Sequence, residues 1–151
     1  MLAVLRSAVL LGLDAVPVQI EVDVSNGLPQ FAVVGLPDAA VRESRDRVRA
    51  AIRNSGFNFP PHRITVNLAP ADLPKAGTSF DLAIALGLLA TEGRLPDQAL
   101  TGTLVMGELS LDGGINPVRG VLAIDLSARR LGIPRLIVPP ANAAEAAVVD
   151  G

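Results

Sequence analysis

The sequence predicts a fold that mixes β-strands and α-helices, of the α+β or mixed α/β class. Alternating apolar residues near the start of the chain are typical of strands with one buried face. Further along, strand-like and helix-like stretches alternate, which favours hairpins early in the chain and crossover connections later. The 151 residues contain no internal repeat and no low-complexity linker, so we expect residues 1–151 to form one domain.

The predicted elements follow one another in a mixed order. They are strands at 1–10, 16–24 and 30–34, a helix at 37–54, a strand at 63–68, a helix at 79–91, a strand at 102–107, a hairpin at 108–117, a helix at 118–131, a strand at 135–138 and the start of a last helix at 142–148.

The first strands are predicted from alternation and from turn residues. Residues 16–24 place Val or Ile at every second position, and residues 1–10 are expected to supply a partner strand. Asn26 and Gly27 end the second strand, so we predict a hairpin between it and the third. The helix that follows has Pro37 in its first turn and is stopped by Gly56.

The second half is predicted from punctuation by Pro and Gly. A loop rich in both separates the strand at 63–68 from the apolar helix pattern that follows. Thr78 and Asp81 have the spacing of a capping box, with Asp in place of the usual Glu or Gln. Asp112 and Gly113 predict the turn of the later hairpin.

Composition excludes several classes of site. The chain has no Cys, which excludes disulfides and thiol catalysis, and its single His argues against a zinc site. The net charge of −2 gives no global signal for nucleic-acid binding. No apolar run approaches the ~20 residues that cross a bilayer, and no signal-peptide cleavage site is present, so we expect a soluble cytoplasmic protein without membrane contact.

Ser79 stands at the predicted start of a helix, where unpaired N–H groups and a partial positive charge favour a nucleophile or an oxyanion. A serine hydroxyl also needs an adjacent base within hydrogen-bonding distance. The only lysine, Lys75, lies four residues earlier in a loop, and the only histidine, His62, follows two prolines. The sequence identifies no orienting partner for either side chain.

Several strings resemble the N-terminal domain of the ComM/YifB family of magnesium-chelatase-related AAA+ proteins. They are residues 24–29 (VSNGLP), 33–38 (VVGLPD), 43–49 (ESRDRVR), 54–57 (NSGF), 63–75 (RITVNLAPADLPK) and 80–82 (FDL). That domain is similar in turn to the proteolytic domain of Lon. The resemblance therefore implies a Lon-like β-α-β fold of the ribosomal-protein-domain-2 type, with hairpins and crossover helices.

The likeness to Lon extends to its catalytic landmarks. Ser79 falls on the nucleophile position of a Pro-Lys-x-Gly-x-Ser run, and residues 107–118 resemble the segment that precedes the catalytic lysine of Lon. Counting onward places the two positions of the Lys-x-Lys pair at Leu122 and Ile124. Because neither side chain can carry a proton, the resemblance implies the fold without the Ser-Lys dyad.

The resemblance also implies what the parent protein does. It would be an ATP-dependent DNA helicase or branch-migration factor in natural transformation and recombination, and this domain would aid ring assembly or substrate handling. The implied partners are its own AAA+ module, like subunits in a hexameric ring, and DNA through the parent. The chain carries no P-loop, because Lys75 is followed by Ala76, so no cofactor is expected here and ATP and Mg²⁺ belong to the absent ATPase module. The chain stops without a capping or tail signal, so we expect it to be a piece of a longer protein.

Two other functions stay open from the residues. The first is a serine hydrolase that uses Ser79 with a non-standard base such as Lys75. The second is a single-stranded DNA binder that uses the arginines of the helix at 37–54, although the sequence suggests no aromatic residue beside them for stacking bases.

Two groups of residues are candidate partner-binding sites. Arg42, Arg45, Arg49 and Arg53 are spaced to share one helix face. This face is a phosphate-contacting stripe, a subunit contact, or a solvated face in which Asp46 pairs with Arg42 and Arg49.

The second group is Asp72 and Lys75 in the Pro-rich loop. They bind a partner or ligand, or they belong to an ordered connector.

Overall fold

A computed structural model describes residues 1–11, 14–96 and 99–146. The strands are β1 (Leu2–Leu11), β2 (Asp14–Ser25), β3 (Gln30–Val34), β4 (Arg63–Ala69), β5 (Thr103–Val105), β6 (Glu108–Leu109), β7 (Ile115–Asn116) and β8 (Arg135–Ile137). The helices are α1 (Ala39–Arg42), α2 (Ser44–Asn54), α3 (Asp81–Thr91), α4 (Val121–Arg130) and α5 (Ala143–Ala146), and a 3₁₀ turn covers Pro140–Asn142.

A mixed sheet of six strands organises the chain in the order β3-β4-β2-β1-β5-β8. The pairs β1–β2 and β2–β4 are antiparallel, whereas β3–β4, β1–β5 and β5–β8 are parallel. Strands β6 and β7 form the separate hairpin that the Asp112-Gly113 turn predicts. The predicted fold class is confirmed.

The predicted hairpin between β2 and β3 is wrong. Strand β2 pairs with β1 on one side and with β4 on the other, and β3 runs parallel to β4 at the edge of the sheet. The turn at Asn26 therefore leaves a gap of one strand between β2 and β3, and β4 occupies that gap. A local turn signal does not reveal that a distant strand will be inserted between two neighbours in sequence.

The single helix predicted at 37–54 is divided at Glu43. Asp38 caps α1 by accepting a hydrogen bond from the Val41 N–H at 2.8 Å. The carbonyl of Ala40 then accepts from the Arg47 side chain at 2.8 Å instead of continuing the helical ladder. The other predicted elements lie where expected: β1, β2 and β4 extend one or two residues beyond their predicted ends, β3 has its predicted bounds, and the elements from α3 onward are shorter than predicted. Residues 147 and 148 of the predicted last helix lie outside the described residues.

Both faces of the sheet pack against helices. The alternating residues Val18, Ile20 and Val22 of β2 are buried beneath α2 and α3, in the larger of two apolar clusters. On β1, Ala8 faces the other side and joins a second cluster beneath α4. None of the helices in the described part of the chain has the length and apolar character needed to span a membrane.

Candidate functional site: a serine cavity at the start of helix α3

Ser79 lies in the loop that joins β4 to α3, two residues before the helix begins. Its carbonyl accepts a hydrogen bond from the Gly107 N–H at 3.0 Å, and the Gly107 carbonyl accepts from the Leu82 N–H at 3.0 Å. These two bonds hold the serine loop against the segment between β5 and β6. The Ser79 hydroxyl itself makes no hydrogen bond with the residues that the structure describes.

A cavity of about 390 Å³ opens beside Ser79. Much of its wall is apolar and comes from the end of β1, from Met106 and from the start of α4. The polar and charged side chains in the wall are those of Thr78, Ser79, Glu108 and Arg119. The structure thus brings together the two segments that sequence reasoning matched separately to the serine and the lysine regions of Lon.

The two expected lysine positions differ in their surroundings. Ile124 is buried and lines the cavity together with Ser79. Leu122 is 39% exposed and does not line it. Ile124 is therefore the α4 residue that shares a cavity with the serine, and an isoleucine there offers no group that accepts a proton.

The only lysine and the only histidine of the chain lie elsewhere. Lys75 is buried, and its ammonium group donates a hydrogen bond to the carbonyl of Pro70. Burial lowers the pKa of Lys75, and the nearby Asp72 carboxylate opposes that shift. His62 lines a different cleft, beside Phe59. Neither residue contributes to the wall of the Ser79 cavity.

The expected capping box is wrong. Helix α3 begins at Asp81, and no side chain caps its first N–H groups. The Thr78 hydroxyl donates instead to a Glu108 carboxylate oxygen at 2.7 Å, and the Asn116 amide donates to the other oxygen at 3.5 Å. Thr78 and Asp81, which the sequence spacing pairs with backbone N–H groups, thus bond to residues distant in sequence instead. Glu108 is held in place at the cavity wall, a position that the sequence did not signal.

Asp81 belongs to a buried network that the sequence did not predict. Its carboxylate accepts from the Ser44 hydroxyl at 2.5 Å, from Arg47 Nε at 2.6 Å and Nη2 at 3.0 Å, and from the Leu109 N–H at 3.1 Å. The hydrogen bond to Asp81 raises the pKa of Arg47, and the charges of Asp81, Glu108 and Glu43 add to that effect. The network ties α2, α3 and β6 together beneath the serine loop.

The arginine stripe is divided between two helices and two environments. Arg42 lies on α1, where it donates to the carbonyl of Pro37 at 3.2 Å and 3.4 Å. Arg49 and Arg53 on α2 lie over the ring of Phe59. Arg45 is exposed.

The expected ion pairs of Asp46 with Arg42 and Arg49 do not form in the part of the chain that the structure describes. Arg47 instead pairs with Glu43 at 3.6 Å.

The expectation that no aromatic ring lies beside these arginines is also wrong. The chain reverses after α2 at Gly56, whose φ is +89°, and returns Phe59 to the helix. Phe59 lies only five residues after the end of α2, so its short distance in sequence from the helix is a signal that it could contact the helix. The sequence does not indicate in which direction the turn at Gly56 sends the chain.

The Asp72–Lys75 loop is an ordered segment in the structure. The Lys75 N–H donates to the Leu36 carbonyl at 3.0 Å, and the Lys75 carbonyl accepts from the Asp38 N–H at 2.9 Å. Asp72 is exposed, whereas Lys75 is buried, so only the aspartate presents its side chain to solvent. Across the described residues, no group of three or more His, Asp and Glu side chains is arranged to hold a metal ion.

Comparison with known proteins gives one family match. The family model described as subunit ChlI of Mg-chelatase matches residues 20–142. YifB of Salmonella typhimurium is 47% identical over 149 residues, which cover 99% of this chain and 29% of that protein. Competence protein ComM of Haemophilus influenzae is 46% identical with the same coverage. The chain therefore spans less than a third of the length of these curated relatives.

The likeness to Lon is also found by comparison. Lon protease of Chloroflexus aurantiacus is 31% identical over 133 residues, which cover 82% of this chain and 16% of that protease. The resemblance inferred from the short motifs is confirmed.

Proposed function

This chain belongs to the family described as subunit ChlI of Mg-chelatase, and on that premise we propose that it is a non-catalytic, Lon-like N-terminal domain of a ComM-type AAA+ ATPase. In this proposal an ATPase module follows the domain. The parent is an ATP-dependent DNA helicase or branch-migration factor that acts in natural transformation and recombination. The domain aids ring assembly or handles substrate at one face of the ring.

The observation that carries the proposal is the composition of the Ser79 cavity. The cavity is lined by both Ser79 and Ile124 of α4. The resemblance to Lon implies a lysine at the position of Ile124. A serine hydroxyl is a weak nucleophile until a base removes its proton, and general-base catalysis typically contributes about 10²–10⁴-fold. The wall of the cavity holds no lysine or histidine among the described residues.

The rival reading, a hydrolase that uses Lys75 as a base, is opposed by the position of that side chain. The Lys75 ammonium group is buried against the Pro70 carbonyl, and the Lys75 side chain does not line the cavity. His62 lies in another cleft. Since the chain has no other lysine or histidine, neither of these common bases is available to Ser79.

The parent's activity is supported by similarity alone. The chain is 46% identical over 149 residues to a protein named for competence, and it covers 29% of that protein. The remaining length of such a relative leaves room for an ATPase module. The DNA substrate, the ring and the role in transformation are parts of the proposal, and measurements of ring assembly and of ATP-dependent branch migration test the first two.

A serine-reactive fluorophosphonate probe tests the non-catalytic state. We expect no covalent labelling of Ser79 above that of a Ser79→Ala control, as measured by mass spectrometry of the intact chain. An unfolded protein substrate should also stay intact. Labelling of Ser79 that is lost in the Ser79→Ala variant would contradict the proposal.

A second experiment separates the role of the domain from its chemistry. In the full-length protein, deletion of this domain should reduce ring assembly, measured by light scattering, or ATP-dependent branch migration of DNA. The Ser79→Ala variant should keep both. Loss of branch migration in Ser79→Ala, with assembly intact, would show that the serine has a chemical role.

A further inference from the structure

A cleft of about 340 Å³ lies between the end of α2, the start of β3 and the loop after Gly56. Arg49, Arg53, Phe59, His62 and Gln30 are the members of its wall that have polar, charged or aromatic side chains. It shares no residue with the Ser79 cavity. Nothing in the proposed function uses it.

The two arginines lie over an aromatic ring. The guanidinium carbons of Arg49 and Arg53 lie 5.3 Å and 5.9 Å from the centre of the Phe59 ring. Phe59 in turn stacks on the buried Phe31, with ring centres 6.0 Å apart and an angle of 12° between the planes. Because Phe31 belongs to β3, the sheet supports the Phe59 ring and the arginines above it.

The donors of these arginines are free to bind a ligand. Neither guanidinium makes a hydrogen bond or an ion pair with the described residues. No Asp or Glu lines the cleft within the described part of the chain. By contrast, the guanidinium of Arg47 on the same helix is bonded to Asp81 and to the Ala40 carbonyl. The cleft therefore concentrates positive charge without an internal counterion.

We propose that this cleft binds the phosphate group of a nucleotide, either free or as a unit of single-stranded nucleic acid. The planar forks of Arg49 and Arg53 match phosphate oxygens, and their flat faces and the His62 ring offer surfaces on which a base stacks. A volume of about 340 Å³ is at the lower end of the range for small-ligand sites, which suits one nucleotide unit better than a folded partner.

The binding is weak. The chain carries a net charge of −2, so its overall charge does not attract a polyanion. We therefore expect a Kd on the order of 10⁻⁴–10⁻⁶ M, the range of non-specific nucleic-acid binding at physiological salt. Each phosphate contact contributes about −0.7 to the slope of log K against log salt for a single strand.

The test uses the full chain and fluorescence anisotropy with a labelled twelve-residue oligothymidylate, followed by competition with thymidine 5′-monophosphate and with inorganic phosphate. If the mononucleotide displaces the oligomer at a concentration similar to that of the oligomer's nucleotide units, a free nucleotide is identified as the ligand. Binding of the oligomer without competition by the mononucleotide identifies the single strand. Equal competition by inorganic phosphate overturns the nucleotide assignment, and so does the absence of any binding below 1 mM.

Variants locate the site. Arg49→Gln/Arg53→Gln should weaken oligomer binding roughly tenfold or more, since each charged hydrogen bond is worth about that factor. Arg129→Gln/Arg130→Gln removes the same charge from exposed positions on α4, outside the cleft, and should bind as the unaltered chain does. Equal loss in both pairs would show diffuse attraction and overturn the site.

A further variant leaves the arginines and their packing in place. Gln30→Glu adds a negative charge to the wall of the cleft and should also weaken binding. Thermal melts of each variant report whether the fold is kept. Unchanged binding in both Arg49→Gln/Arg53→Gln and Gln30→Glu would overturn the proposal.

Discussion

Removal of the Asp81 carboxylate tests the buried network beneath the serine loop. In the structure this side chain is fully buried and accepts two hydrogen bonds from Arg47, one from Ser44 and one from the Leu109 N–H. Asp81→Ala leaves the guanidinium of Arg47, which is 17% exposed, without its main partner. It also leaves a backbone donor of β6 unpaired.

The expected cost follows from this geometry. Breaking a buried ion pair by removing one partner typically costs about 3–5 kcal/mol, because the remaining charge stays buried. A lost helix cap, the role suggested by sequence spacing, typically costs about 0.5–2 kcal/mol. The two interpretations therefore predict different magnitudes for the same substitution. Since a domain has only about 5–15 kcal/mol of net stability, the larger loss is easily measured.

Urea unfolding with linear extrapolation gives the free energy of unfolding for Asp81→Ala, Arg47→Met and the double variant. We expect the double variant to lose less than the sum of the single losses, with a coupling energy of about 1 kcal/mol or more. A loss below about 2 kcal/mol for Asp81→Ala, together with additive effects in the double variant, would refute the ion-pair reasoning. Asp81→Asn keeps the shape and removes the charge, so it separates packing from electrostatics.

Three further predictions concern the cavity, the buried lysine and the packing of α3. Ile124→Lys places an amine in the wall that Ser79 shares, so fluorophosphonate labelling of Ser79 should rise, whereas the exposed Leu122→Lys control should not raise it. Burial lowers the pKa of Lys75 below its ordinary value of 10.5, so in the pH range just below 10.5 the unfolded chain binds more protons at this residue than the folded chain does. In urea titrations the unfolding free energy of the native chain relative to Lys75→Met should therefore increase as the pH rises toward 10.5, and a constant difference would contradict this. Gly87→Ala puts a methyl group 2.6 Å from a buried side-chain atom of β2. Although Ala favours a helix more than Gly does, thermal melts should show a loss of stability of about 1–3 kcal/mol. A stabilised variant would contradict the tight packing of α3 on the sheet.

Local sequence patterns predicted the positions of the strands and helices more successfully than they predicted which strands pair in the sheet. The alternation along β2 and the turn at Asp112 each depend on residues within one segment, and both are confirmed. The pairing of β3 depends on β4, which lies some thirty residues further along the chain and enters between β2 and β3. No periodicity within β2 or β3 contains that information.

The same distinction applies to the candidate site. The motif around Ser79 and the counted positions on α4 predicted which segments would meet, and the shared cavity of Ser79 and Ile124 agrees with it. The role of Asp81 was misassigned because its partner, Arg47, lies 34 residues away, whereas the capping partner suggested by spacing lies three residues away. Phe59 was overlooked for a similar reason, since a glycine turn brings it back over α2.

The network and the cavity together give structural roles to residues of the Lon-like serine motif. Asp81 stands two residues after Ser79 and holds α2 and β6, while Lys75 packs in the interior against Pro70. Both residues therefore have structural partners that do not depend on catalysis. A match to this run is therefore accounted for in this chain by packing and hydrogen bonds. Ile124 is the α4 residue that lines the cavity with Ser79, so we expect the Ile124→Lys variant to test whether an amine at this position activates the serine.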